Sequence, residues 1–148
     1  MPQLSLHSPF GALTLSEEEG YIVSLDEGWG RDQTETPLLI QVRELLQNYF
    51  DGQPVDFSTL PLMLHGTDYQ KCVWKALRQI PYGHTRRYSD LASEIGGSAR
   101  SVGRAVGANP ILLLVPCHRV VGAHGLCGYS GFNGIDDKAR LLDLEGRL

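Results

Sequence analysis

No apolar run in this 148-residue chain approaches the ~20 residues that a membrane-spanning helix needs; the longest is the short stretch Ile111–Val115. The first residues show no basic segment followed by an apolar one, so no secretory signal is read. Cysteine is scarce. Cys72, Cys117 and Cys127 make an odd count, too few for a disulfide framework, and point to a cytoplasmic thiol protein. These absences exclude membrane, secreted and disulfide-scaffold classes. What is present, 42 % apolar and 20 % charged residues, suffices for a real core and excludes a disordered tail. The length suits one ordinary domain or two very small ones.

The net charge of -4 conceals an asymmetry. Residues 1–65 carry ten acids against Arg31 and Arg43, a balance of -8, whereas residues 66–148 balance to +4. Within 69–119, Lys71, Lys75, Arg78, Arg86, Arg87, Arg100, Arg104 and Arg119 face only Asp90 and Glu94. A basic segment beside an acidic one suggests a polyanion on the basic side, or a solvated surface whose counter-charges lie on the other half.

The first 30 residues read as short strands, Leu4–His7, Leu13–Ser16 and Tyr21–Leu25, parted by Ser8-Pro9-Phe10-Gly11 and by an acidic turn over Glu17–Gly20. Thr36-Pro37 opens a helix with Leu39, Val42, Leu46 and Phe50 on one apolar face, up to the stop at Asp51-Gly52. Residues 53–66 are punctuated by Pro and Gly and read as a linker. Thr67 caps a helix over 68–79 with Tyr69, Val73, Ala76 and Leu77 facing inward. A short helix from Tyr88 to Ile95, the Gly96-Gly97 turn and a second helix from Ser98 to about Gly107 resemble a helix-turn-helix. That second helix is almost free of bulk: Ala99, Ser101, Gly103, Ala105, Gly107 and Ala108. Glycine costs helix stability, so its repeated use implies tight helix packing or close approach of a large ligand.

The chemistry concentrates where the apolar run ends in Pro116-Cys117-His118-Arg119. A thiol is a nucleophile as thiolate, and an imidazole beside it can draw off the proton. Neighbours on a regular strand point to opposite faces, so for Cys117 and His118 to act together the backbone must turn or a water must bridge them. An imidazole serves best when a third group fixes its tautomer, and the carboxylates of the C-terminal helix, notably Glu145, are candidates.

Pro116-Cys117-His118-Arg119-Val120, preceded by Asn109-Pro110, resembles the active-site signature of the O6-alkylguanine-DNA alkyltransferases (methylated-DNA–protein-cysteine methyltransferases). The resemblance runs over residues 67–148. It takes in Thr67-Asp-Tyr-Gln, Val73-Trp74, Ile80-Pro-Tyr-Gly83, Tyr88-x-x-Leu-Ala92, Arg100-x-Val-Gly103, Gly128-Tyr129-Ser130-Gly131 and Lys138-x-x-Leu-Leu-x-x-Glu145-Gly146.

The resemblance implies repair of O6-alkylguanine in duplex DNA by a single, irreversible transfer to Cys117, with O4-alkylthymine left open. His118 would act as base through a water, polarised by Glu145. Tyr88 would donate to guanine N3, and Asn109 would brace the two halves of the site. Cys117, Val120 and Ser130, with Tyr129 as a wall, would hold the flipped base. Arg100 would fill the gap in the stack, on a helix whose Ser101, Gly103 and Arg104 lie along the minor groove. No cofactor or metal is implied, and the partner is double-stranded DNA met by a monomer, with no membrane. The expected fold is α+β: a small N-terminal antiparallel sheet with a helix, 1–66, as scaffold. A helical domain, 67–148, follows, with a helix-turn-helix and a short strand pair at the active site.

Three departures from the family's pattern bear on the shape of the pocket. Arg87 stands where many relatives have serine, the Gly96-Gly97 turn is short, and the Ser130–Asp137 loop, with Phe132 and Asn133, is long. Cys117, His118, His124 and Cys127 could make a zinc module, although adjacent ligands suit one tetrahedral centre poorly. A non-enzymatic sensor of alkylated bases would lack the acceptor Cys117. A helix-turn-helix regulator would show base-reading side chains where this helix has Gly and Ala.

Overall fold

A computed structural model of the chain describes residues 1–123 and 134–146. It divides into two compact units, Met1–Leu64 and His65–Leu148. In the first, β1 (Gln3–Ser8), β2 (Gly11–Glu18) and β3 (Tyr21–Glu27) form an antiparallel sheet in the order β1-β2-β3. The strands run longer than the hydrophobic pattern alone suggests. The second turn shrinks to Glu19-Gly20, both at positive φ (51° and 83°), the pair of angles that matches the twist of a two-residue hairpin. Leu4, Leu6, Leu13, Leu15, Ile22 and Leu25 are buried, as are Leu39, Val42 and Leu46 of α1 (Pro37–Phe50), which packs on β1 and β2. Thr36 caps α1 by accepting from the Leu39 N–H at 3.1 Å.

Two expectations need correction here. The fourth buried residue of α1 is Tyr49, and Phe50 is only half-buried against Phe10. Both lie one turn beyond Leu46, and Tyr49 wins because its ring meets Phe57 at 5.6 Å. Phe57 belongs to the stretch read as linker, yet Phe57 and Leu60 are buried, Ile22 N–H donates to Pro61 O, and Met63 N–H donates to Ile22 O. Phe57 and Leu60 complete the core, and residues 61–63 pair with β3 at its outer edge.

The second unit holds α2 (Asp68–Arg78), β4 (Arg86–Arg87), α3 (Tyr88–Ile95), α4 (Ala99–Gly107), β5 (Val120–Val121) and α5 (Ile135–Leu144). A capping box closes α2: Thr67 Oγ1 accepts from Gln70 N–H, and Gln70 Oε1 accepts from Thr67 N–H. Its buried face is Val73, Trp74 and Leu77, while Tyr69 and Ala76, expected inside, are half-buried. The Tyr69 ring reaches instead toward the α3–α4 turn, where its hydroxyl donates to Gly96 O at 3.0 Å and lies 2.9 Å from Ser101 Oγ. Gly97 sits at φ +85°, and a Cβ there would lie 2.5 Å from Ser101 Oγ and 2.6 Å from the Tyr69 hydroxyl. The short turn is therefore interlocked around a glycine. Arg87 gives α3 no side-chain cap; Asp90 supplies it by accepting from the Arg87 N–H at 3.1 Å. β4 and β5 pair in parallel, Arg86 with Val120 and Arg87 with Val121, which ties the start of α3 to the segment after Cys117.

Candidate active site

The run before Cys117 is a closed loop rather than a strand. Asn109 Nδ2 donates to Val115 O at 2.7 Å, and Asn109 Oδ1 accepts from Ile111 N–H at 3.0 Å. The side chain thus spans the loop that its own residue opens, and Val115 N–H closes it by donating to Ile111 O. Inside that loop Leu113 is buried at φ +70°, an angle that costs a branched side chain energy and needs surrounding packing to hold it. The chain then leaves Pro116 in a 3-10 turn, Cys117–Arg119. The backbone does turn at the thiol. Cys117, His118 and Arg119 are all buried, and neither Cys72 nor Cys117 is in a disulfide.

Glu145, just past the end of α5, meets this turn. Oε2 accepts from His118 Nε2 at 2.6 Å and from Arg119 Nη2 at 3.1 Å; Oε1 accepts from Arg119 Nε at 2.9 Å and from Gly83 N–H at 3.1 Å. Four N–H donors on two oxygens leave no place for a proton, so the carboxylate is ionised. Burial pushes the Glu145 carboxyl up, but hydrogen bonds and charge from His118 and Arg119 outweigh it and bring it down to about 2. Burial also pushes the His118 imidazole below its usual value; the Glu145 hydrogen bond opposes this, while the Arg119 and Lys138 charges add to it. An ionised carboxylate only accepts, so Nε2 carries the proton of a neutral imidazole and Nδ1 carries the basic lone pair.

Arg119 corrects the charge reading. Counted among the cations facing a polyanion, it is instead buried on Glu145, and its third bond goes from Nη1 to Ile80 O at 2.8 Å. Lys138 is also fully buried, with its ammonium 5.9 Å from the centre of the Tyr88 ring. Arg119 and Lys138 both lie in the strings that carry the resemblance, but the sequence reading gives neither a role in the site. A signal existed for the second: Lys138, Leu141, Leu142 and Glu145 follow the i, i+3, i+4, i+7 spacing of one helix face, and all four are buried. Two charged residues on an apolar face need partners, which is a mark of function.

The remaining expected residues lie on α3, α4 and β5. Arg100 and Arg104 are exposed on α4, with Lys71, Lys75 and Arg87 as further exposed cations, while Arg86 is held by Glu94 at 2.5 Å. Ser101 Oγ is engaged within the protein, with Tyr69 and Ser98. Val120 is fully buried in β5. A cleft of about 290 Å³ opens between Tyr88, Ala99, Gly103, Gly122 and Ala123, with Arg87 at its rim. A Cβ on Gly103 would come only within 3.9 Å of the Tyr88 ring, and one on Gly107 would meet nothing within 4 Å. Tight packing inside the protein therefore does not demand these glycines. Tyr129 and Ser130, expected to hold the base, and Phe132 lie outside the described residues, as do His124 and Cys127 of the zinc reading. Among the described residues no group of three His, Cys, Asp or Glu is placed to hold a metal, and His118 Nε2 is committed to Glu145.

Known proteins resemble this chain over nearly its whole length. Residues 68–147 match the DNA binding domain of the 6-O-methylguanine DNA methyltransferases, and residues 4–64 match their ribonuclease-like domain. The methylated-DNA–protein-cysteine methyltransferase of Metallosphaera sedula is 41 % identical over 143 residues, covering 95 % of this chain and 90 % of that protein. The constitutive enzyme of that name from Bacillus subtilis is 40 % identical, covering 93 % and 91 %. Among solved structures, Mycobacterium tuberculosis OGT in complex with DNA superposes with a TM-score of 0.84 at 40 % identity, covering 98 % of this chain and 92 % of that one.

Proposed function

This chain belongs to the 6-O-methylguanine DNA methyltransferase family, and from that premise we propose that it repairs double-stranded DNA by taking the alkyl group of O6-alkylguanine irreversibly onto Cys117. The observation that carries the assignment of the acceptor is the buried relay in which Glu145 fixes the His118 tautomer one residue from the thiol. A sensor without an acceptor and a transcriptional regulator are not favoured, since relatives matching nearly the whole chain carry the transferase name.

In this reading His118 Nδ1 takes the Cys117 proton through a water. The thiolate attacks the alkyl carbon in line; the S–C bond forms as the C–O6 bond breaks, and the electron pair leaves with guanine. Tyr88 donates to guanine N3, so the leaving base departs near neutral, and the Lys138 ammonium over its ring favours negative charge developing on that phenol. The products are a thioether and unmodified guanine. No step regenerates the thiol, so each molecule acts once.

The base must leave the duplex to be attacked, at a cost of a few kcal/mol. Arg100 enters the stack in its place, and the bare face of α4 at Gly103 and Gly107 lets the minor-groove edges come close. Arg87 and Arg104 bind phosphates without reading sequence, which suits a search over any DNA. Val120, Tyr129 and Ser130 hold the flipped base, Asn109 keeps the loop before Cys117 closed, and Ser101 orders the start of α4. The N-terminal unit acts as scaffold. The protein works as a monomer in the cytoplasm, where thiols stay reduced.

Intact mass after incubation with a duplex carrying O6-methylguanine tests the assignment. One methyl group is expected on the peptide containing Cys117, with Cys117→Ala binding DNA but accepting nothing. Repeated turnover, or methyl on Cys72 or Cys127, would overturn it. His118→Ala should slow transfer far more than it weakens binding.

A further inference from the structure

Arg119 donates hydrogen bonds to groups that are part of the site or frame it. Its Nε and Nη2 hold the two oxygens of Glu145 at 2.9 and 3.1 Å, and its Nη1 donates to Ile80 O at 2.8 Å. The same stretch returns a second bond, Gly83 N–H to Glu145 Oε1 at 3.1 Å, and Tyr82 adds a third by donating to Leu144 O at 3.2 Å. Gly83 stands at φ +77°, where a side chain is strained. The turn over residues 80–83, the guanidinium and the end of α5 are therefore one hydrogen-bonded assembly closed around a single carboxylate.

We propose that Arg119 is a positioning residue for the transfer reaction: by clamping both oxygens of Glu145 against the Ile80–Gly83 turn, it keeps His118 uncharged, with its proton on Nε2 and its basic lone pair on Nδ1. This rests on the reading of Cys117 as alkyl acceptor and His118 as its base. The clamp acts in two ways. Its fork fixes the carboxylate plane, which aims the one remaining lone pair of Oε2 at His118. Its charge neutralises Glu145, so the carboxylate orients the imidazole without drawing a second proton onto it.

The charged and titratable groups around His118 make the second effect readable. Glu145 follows α5, Lys138 lies within α5, Arg119 and Cys117 share the 3-10 turn, and Tyr82 stands beside the guanidinium at 5.9 Å. Among the described residues, one anion and two cations act on His118. Removing the Arg119 charge takes away one of those two cations, so protonation of His118 becomes easier and a protonated imidazole cannot take the thiol proton. Arg119 and Lys138 both hold the His118 pKa down, in agreement with this sign. A lysine at position 119 would retain the charge and lose the fork.

Two measurements test the proposal. Imidazole nitrogen shifts of His118, read by NMR in the DNA-free protein, should show a neutral ring protonated on Nε2 at neutral pH. In Arg119→Met the ring should take up its second proton at higher pH. Single-turnover transfer should follow: in Arg119→Met the acid limb of the rate profile moves up, and the rate on that limb falls about tenfold for each pH unit moved. Arg119→Lys should leave the limb near its wild-type position with a lower plateau. A wild-type His118 carrying its proton on Nδ1 overturns the proposal even if no variant folds. So does a folded Arg119→Met whose titration and rate profile match the wild type. Absence of transfer by the wild-type protein would instead remove the reading of Cys117 as acceptor, a result the imidazole spectrum does not mimic.

Discussion

The indole N–H of Trp74 donates to the carbonyl of Ala105 at 2.8 Å, so α2 caps the last turn of α4 from the side. The carbonyls of a helix's last turn lack helical donors, and a buried one left unmet costs about 1–3 kcal/mol. Trp74 is both a core residue and the bond that holds the C-terminal end of α4, while Tyr69 on the same helix holds its N-terminal end through Ser101.

Trp74→Phe keeps an aromatic ring but deletes the donor. The variant should lose roughly 2–4 kcal/mol of stability, from the unmet carbonyl together with the cavity left by the smaller ring. Urea unfolding followed by circular dichroism measures it; a loss below about 1 kcal/mol would mean that Ala108 N–H alone satisfies Ala105.

Acid should destabilise this protein through two groups, Glu145 and His118, with the same sign. The Glu145 pKa is depressed to about 2 in the folded state, so the unfolded chain binds more protons below its ordinary value near 4.5. That contribution, roughly 3 kcal/mol from the displacement, is present above the ordinary value and drains away as pH falls toward 2. The His118 pKa is also depressed, so its contribution is present above 6.5 and is lost as pH drops below that. Stability measured by denaturant at a series of pH values should therefore fall continuously from about pH 6.5 downward. In Glu145→Gln the Glu145 contribution should vanish, with a constant penalty of about 3–5 kcal/mol for leaving Arg119 buried without its anion.

The proposed role of Arg100 in filling the gap in the stack predicts different effects on duplex and free-base substrates. Arg100→Ala should impair repair in duplex DNA much more than reaction with free O6-benzylguanine, because only the duplex leaves a gap to fill. Equal losses on both would assign Arg100 to the fold or to the pocket.

The glycines of α4 make the opposite trade. Gly107→Ala meets no atom within 4 Å and should raise stability by up to about 1 kcal/mol through helix propensity. Gly103→Leu projects into the cleft beside Tyr88 and should weaken duplex binding while the helix remains folded. Thermal melting and fluorescence anisotropy read the two effects separately. Unchanged duplex affinity in Gly103→Leu would show that DNA does not approach this face.

Much was readable along the chain because it depends on local order. Turn residues and alternation placed the three strands, capping residues placed the helix starts at Thr36, Thr67 and Ser98, and the Pro-Cys-His-Arg string marked the site. Local order could not choose between Tyr49 and Phe50, since both lie one turn beyond Leu46 and only the distant ring of Phe57 decides. Nor could it tell that residues 61–63 pair with β3, because the pairing partner Ile22 lies far away in sequence.

The sequence by itself determined which groups are chemically present: a thiol beside an imidazole, a carboxylate at a helix end, a helix without bulk. Tertiary structure decided which charges are surface and which are machinery. Arg100 and Arg119 are the same residue type in one basic stretch, yet one faces solvent and the other is buried on Glu145, because Glu145, 26 positions further on, arrives there only when α5 folds back onto the 3-10 turn. The ionisation of His118 and Glu145 was set by that meeting. Desolvation and the donors around a group are properties of its surroundings, and the surroundings exist only in the folded chain.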